Sequence, residues 1–198
     1  MPKPFSRLVI ATHNAGKLRE FAGLLGHLIP EITSAGSLGL PVPEETGTTF
    51  IENATLKARA AAEATGSLAL ADDSGLCIHT LNGDPGVYSA DWAEPGKNFQ
   101  AAIARIQKEM GDAPDRSAHF TCVLVLCWPD GRTESVEGRV EGSIAREMRG
   151  TGGHGYDPIF IPDGDTRTFA EMGETEKNRI SHRGNATKLL LEKFAALL

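Results

Sequence analysis

Six small or polar residues, Thr12-His13-Asn14-Ala15-Gly16-Lys17, lie between an apolar run at residues 8–11 and an amphipathic segment that starts at Leu18. A buried strand that turns into a helix leaves backbone N–H groups at the helix N-terminus, where the helix dipole also favours an anion. Lys17 adds a positive charge there. The loop therefore predicts a phosphate site, although an ordinary strand-to-helix turn with an exposed lysine would have the same residues.

This loop does not match the Walker motif. That motif has a glycine five residues before its Gly-Lys pair and a serine or threonine directly after it. Ala11 and Leu18 occupy those positions here. The sequence therefore disfavours a P-loop kinase or ATPase.

Acidic residues could hold a hard cation beside such a loop. Asp72-Asp73-Ser74-Gly75 interrupts an apolar strand within residues 67–81, and a turn or bulge there would bring both carboxylates to one rim. Mg²⁺ prefers oxygen ligands and keeps several waters, so carboxylates near phosphate suit it. A surface Asx turn is the alternative, and the second acidic pair, Glu44-Glu45, is by itself more typical of a solvated loop.

The last third of the chain holds two more candidate binding segments. Four glycines in residues 150–155 indicate backbone that approaches a ligand closely or takes a positive φ, and His154 and Tyr156 could flank an aromatic base. The basic residues that follow could bind a planar ligand or a phosphate at the start of a helix; they are Lys177, Arg179, His182 and Arg183, with Ser181 as the N-cap. A mobile loop and a solvated helix end are the alternatives, and Lys57 in an alanine-rich helix is similarly ambiguous.

The elements that must position these residues predict an α/β fold with a mixed sheet. Apolar residues at three- and four-residue spacing predict helices from residue 18, from a capping box at Thr49–Glu52 to Gly66, and over residues 98–110. A final helix starts near Ser181 and is expected to bury Ala186, Leu190, Phe194 and Leu197. Strands are predicted at residues 8–11, 67–71, 76–81, 118–128, about 132–140, and 159–161.

Composition is that of an ordinary globular protein, with 198 residues, 40% of them hydrophobic. The net charge of −6 disfavours nucleic acid as a partner. No apolar run approaches the ~20 residues of a membrane span, and the first five residues lack the apolar part of a signal peptide. We expect a cytoplasmic protein without a membrane partner, whose three cysteines, Cys77, Cys122 and Cys127, are buried free thiols.

Together the motifs resemble the inosine triphosphate pyrophosphatase family over residues 8–191. No single motif is specific, but their occurrence together in the family's order is. The matching segments are Thr12 to Lys17, Glu44 to Gly47, Phe50 to Ala54 with Lys57, Ala71 to Leu76, Gly152 to Phe160, Glu176-Lys177, and Ser181 to Arg183.

The resemblance implies a single domain over residues 1–198 with two lobes, a twisted mixed sheet flanked by helices and an active-site cleft between the lobes. It also implies hydrolysis of ITP, dITP and XTP to the monophosphate and pyrophosphate, with Mg²⁺ as cofactor. The family is usually homodimeric. A purine nucleoside triphosphate is therefore the expected small-molecule partner.

The resemblance also assigns roles to residues. Thr12 to Lys17 would bind the triphosphate, with Lys57 and Lys177 adding positive charge. Glu44, Asp72 and Asp73 would hold or orient Mg²⁺, Asp73 would be the base for the attacking water, and Ser74 would contact the substrate. The residues around the base would be His154, Gly155, Tyr156, Asp157, His182 and Arg183. Many family members have phenylalanine where this chain has His154, which puts stacking on the base in question.

Two other functions are weighed against hydrolysis. A nucleotide sensor could use the same loop without catalysis, but the intact Asp72-Asp73 pair argues against it. A glycosidase could use an acidic pair, but only 6% of the residues are aromatic and nothing suggests an aromatic sugar cleft. Both rank below the pyrophosphatase.

Overall fold

The computed structural model of the protein describes residues 6–197, without the side chains of residue 20 and residues 194–197. Its helices are α1 (Ala15–Leu25), α2 (Phe50–Thr65), α3 (Phe99–Met110), α4 (Glu174–Ile180) and α5 (His182–Leu197). Its strands are β1 (Arg7–Ile10), β2 (Glu31–Ser34), β3 (Leu68–Ile78), β4 (Ser117–Cys127), β5 (Thr133–Ile144) and β6 (Phe160–Pro162). Two predictions lie outside this part: the interpretation of residues 1–5, and the inward packing of Phe194 and Leu197.

The six strands form one sheet in the order β2-β1-β3-β4-β5-β6. β1 pairs in parallel with β2 and with β3, whereas β5 pairs antiparallel with β6. The predicted α/β fold with a mixed sheet is therefore confirmed. Among the helices of residues 6–197, none has both the length and the apolar character that a bilayer span requires.

The chain divides into two compact units, each with its own core. The first unit comprises residues 1–73, 123–136 and 189–198. In this unit the small side chains of α2 pack on β1, β3 and β4 through Val9, Ala54, Ala58, Ala61, Ala62, Ala69, Ala71, Val123, Val125 and Cys127. Because most of these residues are small, the backbone of α2 can lie close to the sheet. A longer polar side chain on the same face of α2 therefore reaches the ends of the strands.

The second unit comprises residues 74–122 and 137–188 and has an aromatic core. Phe120, Phe160 and Phe169 form a cluster of rings in it, and α3 covers them with Ile103 and Ile106. β5 and the first turns of α5 approach so closely that a Cβ at position 138 would lie 2.1 Å from a backbone nitrogen of α5. Only glycine fits there, and this contact fixes the start of the final helix.

The predicted helix ends agree closely with the structure. Thr49 and Glu52 form the expected capping box, Gly66 ends α2 with a φ of 60°, and Asn98 caps α3. The Ser181 Oγ accepts a hydrogen bond from the N–H of Gly184 at 3.1 Å, as expected for the N-cap of α5. The three cysteines are buried thiols rather than disulfides, as predicted.

Candidate active site

The loop at residues 12–17 is held by its own side chains. Asn14 caps α1, because its Oδ1 accepts hydrogen bonds from the N–H groups of Gly16 at 2.8 Å and Lys17 at 3.3 Å. Thr12 is buried, and its hydroxyl accepts the N–H of Asn14 at 3.1 Å. His13 contacts the Leu40 carbonyl oxygen through Nε2 at 2.8 Å. The helix therefore begins at Ala15 rather than Leu18, and two of the amides predicted to face an anion are already occupied by a side-chain oxygen.

The acidic segment at residues 72–75 differs from the prediction of an interrupted strand. β3 runs through it without a turn, and both carboxylates are buried. Neighbouring side chains of an extended strand point to opposite faces, so Asp73 lies on the face covered by α2 and Asp72 on the other. The expectation that a turn brings both carboxylates to one rim is wrong.

Each aspartate meets a lysine from the helix on its own side of the sheet. The Lys17 ammonium of α1 donates to Asp72 Oδ2 at 2.6 Å. The Lys57 ammonium of α2 donates to Asp73 Oδ1 at 3.0 Å and to Glu45 Oε1 at 2.9 Å. The strand can continue through two carboxylates because each is paired, and burying an unpaired charge would be costly. All five residues belong to the first unit.

The carboxyl group of Asp73 has a strongly raised pKa. Burial raises its pKa to about 6 although Lys57 lies beside it, and the negative charges of Glu45 and Asp72 act in the same direction as burial. Burial alone would lower the pKa of Lys57, but the carboxylates of Asp73 and Glu45 outweigh it and raise that pKa. The second oxygen of Asp73, Oδ2, is buried without a hydrogen-bond partner among the described residues. It is therefore available to a water molecule or a cation.

The acidic loop before α2 contributes Glu45 rather than Glu44 to these contacts. Glu44 is exposed, and Glu45 binds Lys57. Asn53, a buried polar residue of α2, accepts the N–H of Gly47 at 2.8 Å and so anchors the loop. Sequence reasoning missed this role, although an asparagine next to an alanine-rich helix face was the available signal.

Three or more metal-ligating side chains that face one another would mark a preformed metal centre. Within residues 6–197, the three predicted ligands Glu44, Asp72 and Asp73 do not form a group whose donor atoms all lie within 4.8 Å of one another. The carboxylates are oxygen donors of the kind that Mg²⁺ prefers. Of their oxygens, the unpartnered Asp73 Oδ2 fits such an ion best.

In the second unit, Asp157 organises the glycine-rich loop predicted to surround the base. It is buried, and its Oδ2 accepts the N–H of His154 at 2.6 Å and a hydrogen bond from the Lys177 ammonium. A Cβ at Gly153, where φ is 73°, would collide with this carboxylate. The structure thus shows Asp157 as the anchor of the loop and places the Lys177 charge on it. Their predicted contacts with the substrate stay predictions.

The two aromatic residues of the same loop differ in exposure. The His154 side chain is exposed, whereas Tyr156 is only 3% exposed. The Tyr156 hydroxyl donates to the Ser89 carbonyl oxygen at 2.7 Å, and its ring meets Phe99 edge-on at 5.2 Å. Burial raises the pKa of Tyr156. The ring therefore packs in the core, and contact of Tyr156 with a base stays a prediction.

The remaining predicted residues lie at the start of α5 and just after Asp73. His182 is buried, and its ring stacks on Phe120 at 4.7 Å. Arg183 and Ser74 are half-buried. All three belong to the second unit, and their predicted contacts with substrate stay predictions.

The paired lysines and the buried Asp73 with its raised pKa mark this part of the first unit as a candidate functional site. The chain belongs to the Ham1 family, whose pattern matches residues 8–193. This finding confirms the family predicted from the motifs.

Similar proteins agree over nearly the whole chain. A dITP/XTP pyrophosphatase of Gluconobacter oxydans is 54% identical over 188 residues, which are 95% of this chain and 90% of that protein. One of Rhodospirillum centenum is 53% identical over 192 residues, which are 96% and 95% of the two chains.

Solved structures agree with the fold. The Staphylococcus aureus Ham1 protein has a TM-score of 0.91 and 38% identity, and the match covers 97% of this chain and 100% of that one. The nucleoside-triphosphatase / dITP/XTP pyrophosphatase of Mycobacterium abscessus has a TM-score of 0.80 and 40% identity, with 93% and 98% covered.

Proposed function

We propose that the protein hydrolyses non-standard purine nucleoside triphosphates, namely ITP, dITP and XTP, to the monophosphate and pyrophosphate, and so removes them from the nucleotide pool. The observation that carries this proposal is Asp73, a buried carboxylate beside Lys57 with one oxygen left unpartnered. The names of the relatives, dITP/XTP pyrophosphatases at 53–54% identity, support the substrate class.

Asp73 acts as the base in this reaction. With a pKa of about 6 it is largely ionised at neutral pH, yet basic enough to accept a proton in the transition state. Lys57 holds Oδ1, which fixes the carboxylate and leaves Oδ2 for the attacking water. The water oxygen forms a bond to the α-phosphorus, its proton passes to Asp73, and the bond from the α-phosphorus to the bridging oxygen breaks. Pyrophosphate leaves with that bridging oxygen.

The local charge supports a requirement for Mg²⁺. Two lysines, Lys17 and Lys57, face three carboxylates in the first unit, so the group cannot neutralise a triphosphate without an added cation. Asp72 and Glu44 would hold the ion, and Asp73 would orient it through the water at its Oδ2. When bound, Mg²⁺ supplies positive charge that offsets the charge developing on pyrophosphate. Turnover should cease in excess EDTA and return with added Mg²⁺.

Selection of the base belongs to the second unit in this proposal. Donors from residues 154–157 and from His182 and Arg183 would bind the 6-keto oxygen of hypoxanthine or xanthine. Adenine has an amino group at that position and would leave those donors unpaired. Sites of this kind discriminate by ~10⁴-fold or more, so ATP should be a poor substrate.

Two properties of the whole protein complete the proposal. We place the enzyme in the cytoplasm as a homodimer that acts on free nucleotides, with no nucleic acid or membrane as partner. Light scattering should give twice the mass of one chain, and a monomer mass would contradict the homodimer alone.

The decisive experiment is hydrolysis of dITP in water enriched with ¹⁸O, with Mg²⁺ present. We expect dIMP and pyrophosphate in equal amounts, with the label only in dIMP, because the water attacks the α-phosphorus. Orthophosphate as the first product, or label in pyrophosphate, would contradict the proposed reaction. Tight binding of dITP without any product would instead identify the nucleotide sensor.

A further inference from the structure

Three side chains of the second unit meet on neighbouring strands without any role in the proposed reaction. His79 directly follows β3, His119 lies in β4 and Glu141 lies in β5. Their ligand atoms, two ring nitrogens and a carboxylate oxygen, all lie within 4.8 Å of one another. Within residues 6–197 no other group of three His, Cys, Asp or Glu side chains meets this condition.

A hydrogen-bonded chain sets the tautomer of His79. The Ser117 hydroxyl donates its single proton to Asp115 Oδ1 at 2.6 Å. His79 Nδ1 lies 2.7 Å from the same hydroxyl oxygen, so Nδ1 must be the donor of that contact. Neutral His79 therefore carries its lone pair on Nε2. Metal-bound histidines commonly donate their other N–H in this way, which orients the ring.

The spacing of the two histidines fits a shared cation. His79 Nε2 and His119 Nδ1 are 3.4 Å apart, which is longer than the usual N–H hydrogen bond of roughly 2.7–3.2 Å. Two nitrogens bound to one tetrahedral zinc at about 2.0–2.1 Å would themselves be about 3.4 Å apart. The rings are tilted by 55° rather than stacked, so packing of one ring face on the other does not explain the spacing.

Nearby acidic side chains offset the positive charge of Arg139 beside the site. Arg139 opposes a cation, but it lies 3.8 Å from Glu141 and 3.9 Å from Glu137, which offset its charge.

We propose that His79, His119 and Glu141 bind a divalent transition-metal ion, with Zn²⁺ as the best fit. Two imidazoles and one carboxylate form a ligand set that zinc accepts, with water completing a tetrahedron. The ion connects His79, which follows β3, with His119 of β4 and Glu141 of β5. Its binding therefore stabilises the second unit. This site is separate from the carboxylates proposed for Mg²⁺.

Cys77, two residues before His79, is not part of the site, because its sulfur does not belong to the group of donor atoms that all lie within 4.8 Å of one another. The Cys77→Ser variant should therefore bind Zn²⁺ like the wild type, and loss of binding in it would overturn the assigned ligand set.

The test is titration of Zn²⁺ into the full chain after removal of metals, followed by calorimetry and by thermal unfolding. We expect one tight site per chain and a melting temperature that rises with Zn²⁺ concentration, because binding to the folded state stabilises it. Co²⁺ should give the visible absorption bands of a tetrahedral ion. Equal binding by the wild type and a His79→Ala/His119→Ala variant would overturn the proposal.

Matched variants keep the test decisive. Ser117→Ala removes no ligand but releases the His79 ring, and we expect its Zn²⁺ affinity to fall by ~10–100-fold, the usual effect of losing such a partner. If the histidine variants do not fold, the Zn²⁺ affinity of Ser117→Ala decides whether His79 binds the ion. His27→Ala, an exposed histidine of the first unit, should change nothing. All these variants should retain Mg²⁺-dependent dITP hydrolysis, so failure of the zinc site is distinguishable from failure of the proposed function.

Discussion

At the scale of single residues, the burial of Asp73 and its proposed role as a base favour opposite protonation states. Its burial favours the neutral acid, yet the proposed reaction needs the carboxylate. Because its folded-state pKa of about 6 lies above the reference value of 3.8, Asp73 contributes stability below pH 3.8 that is lost as the pH rises through about 6. At neutral pH the ionised side chain therefore costs stability in return for reactivity.

The Asp73→Asn variant should separate these two effects. We expect kcat for dITP to fall by ~10²–10⁴-fold, because the base is lost, while dITP binding is retained. At pH 7.5, without Mg²⁺, the variant should be more stable than the wild type, by at most about 3 kcal/mol at 1.36 kcal/mol per pKa unit. The gain is an upper limit because Lys57 loses one of its two charge partners.

Activity assays and thermal unfolding at pH 4 to 8 would measure both effects of Asp73→Asn. The stability difference between the variant and the wild type should shrink as the pH falls below 6. Asp130→Asn, in an exposed turn, serves as the control and should alter neither quantity. A kcat like that of the wild type in Asp73→Asn would remove Asp73 from the role of base.

His154 occupies the position at which the resemblance implies phenylalanine in many family members. Its backbone N–H, rather than its ring, holds the loop through Asp157, so a change of side chain should leave the loop in place. We expect His154→Phe to keep kcat and to lower KM for dITP several-fold, because stacking of a base on an aromatic ring is worth ~1–3 kcal/mol. His154→Ala should raise KM. A large loss of kcat in His154→Phe would contradict stacking at this position.

At the scale of elements, the start of α1 decides how an anion can bind. Asn14 Oδ1 occupies the amides of Gly16 and Lys17, so a phosphate at this end of the helix must share or displace that oxygen. Aspartate caps helices as well as asparagine does but brings a negative charge to the same place. This difference allows capping and anion binding to be tested independently.

We expect Asn14→Asp to keep the melting temperature of the wild type and to raise KM for dITP by about tenfold or more, since repulsion of about 1–4 kcal/mol acts between unit charges ~4 Å apart. Asn14→Ala should lose about 1 kcal/mol of stability through the missing cap while KM changes less than in Asn14→Asp. Unfolding and steady-state kinetics measure both. An unchanged KM in Asn14→Asp would show that the triphosphate does not bind at this helix.

Several elements could be predicted from the sequence because local signals mark them. The capping box of α2, its terminal Gly66, and the apolar face of α3 are such signals. The sequence does not predict β2 and α4, because each contains a single apolar residue and so shows neither an apolar run nor an apolar face. The strand through Asp72 and Asp73 was read as interrupted because the lysines that pair with them are remote in the sequence.

The candidate site was predicted in its residue types rather than in its contacts. The order of the motifs grouped two lysines, Lys17 and Lys57, with two aspartates, Asp72 and Asp73. The structure pairs Lys17 with Asp72 and Lys57 with Asp73. That β3 continues through the two aspartates, and that Asp157 serves as an anchor, depends on tertiary contacts with remote lysines. No spacing in the sequence carries that information.

At the scale of the whole molecule, charge decides which phosphorylated ligands can approach. The net charge of −6 repels a long polyanion along any extended surface, and Lys17 and Lys57 of the first unit are themselves paired with carboxylates. A compact triphosphate needs positive charge at one place only, which lysines together with a bound cation can supply. The proposed enzyme should therefore act on free nucleotides and ignore the same phosphates in a nucleic acid chain.

Competition experiments test this consequence. Single-stranded DNA, added at a phosphate concentration equal to that of dITP, should leave the rate of dITP hydrolysis unchanged at low and at moderate ionic strength. Pyrophosphate, a compact anion and the proposed product, should inhibit in the same assay and serves as the positive control. Low ionic strength is the stricter condition, because screening is weakest there and any attraction to a polyanion would be strongest. Inhibition by DNA that weakens as salt is added would reveal a basic surface at odds with the charge of this chain.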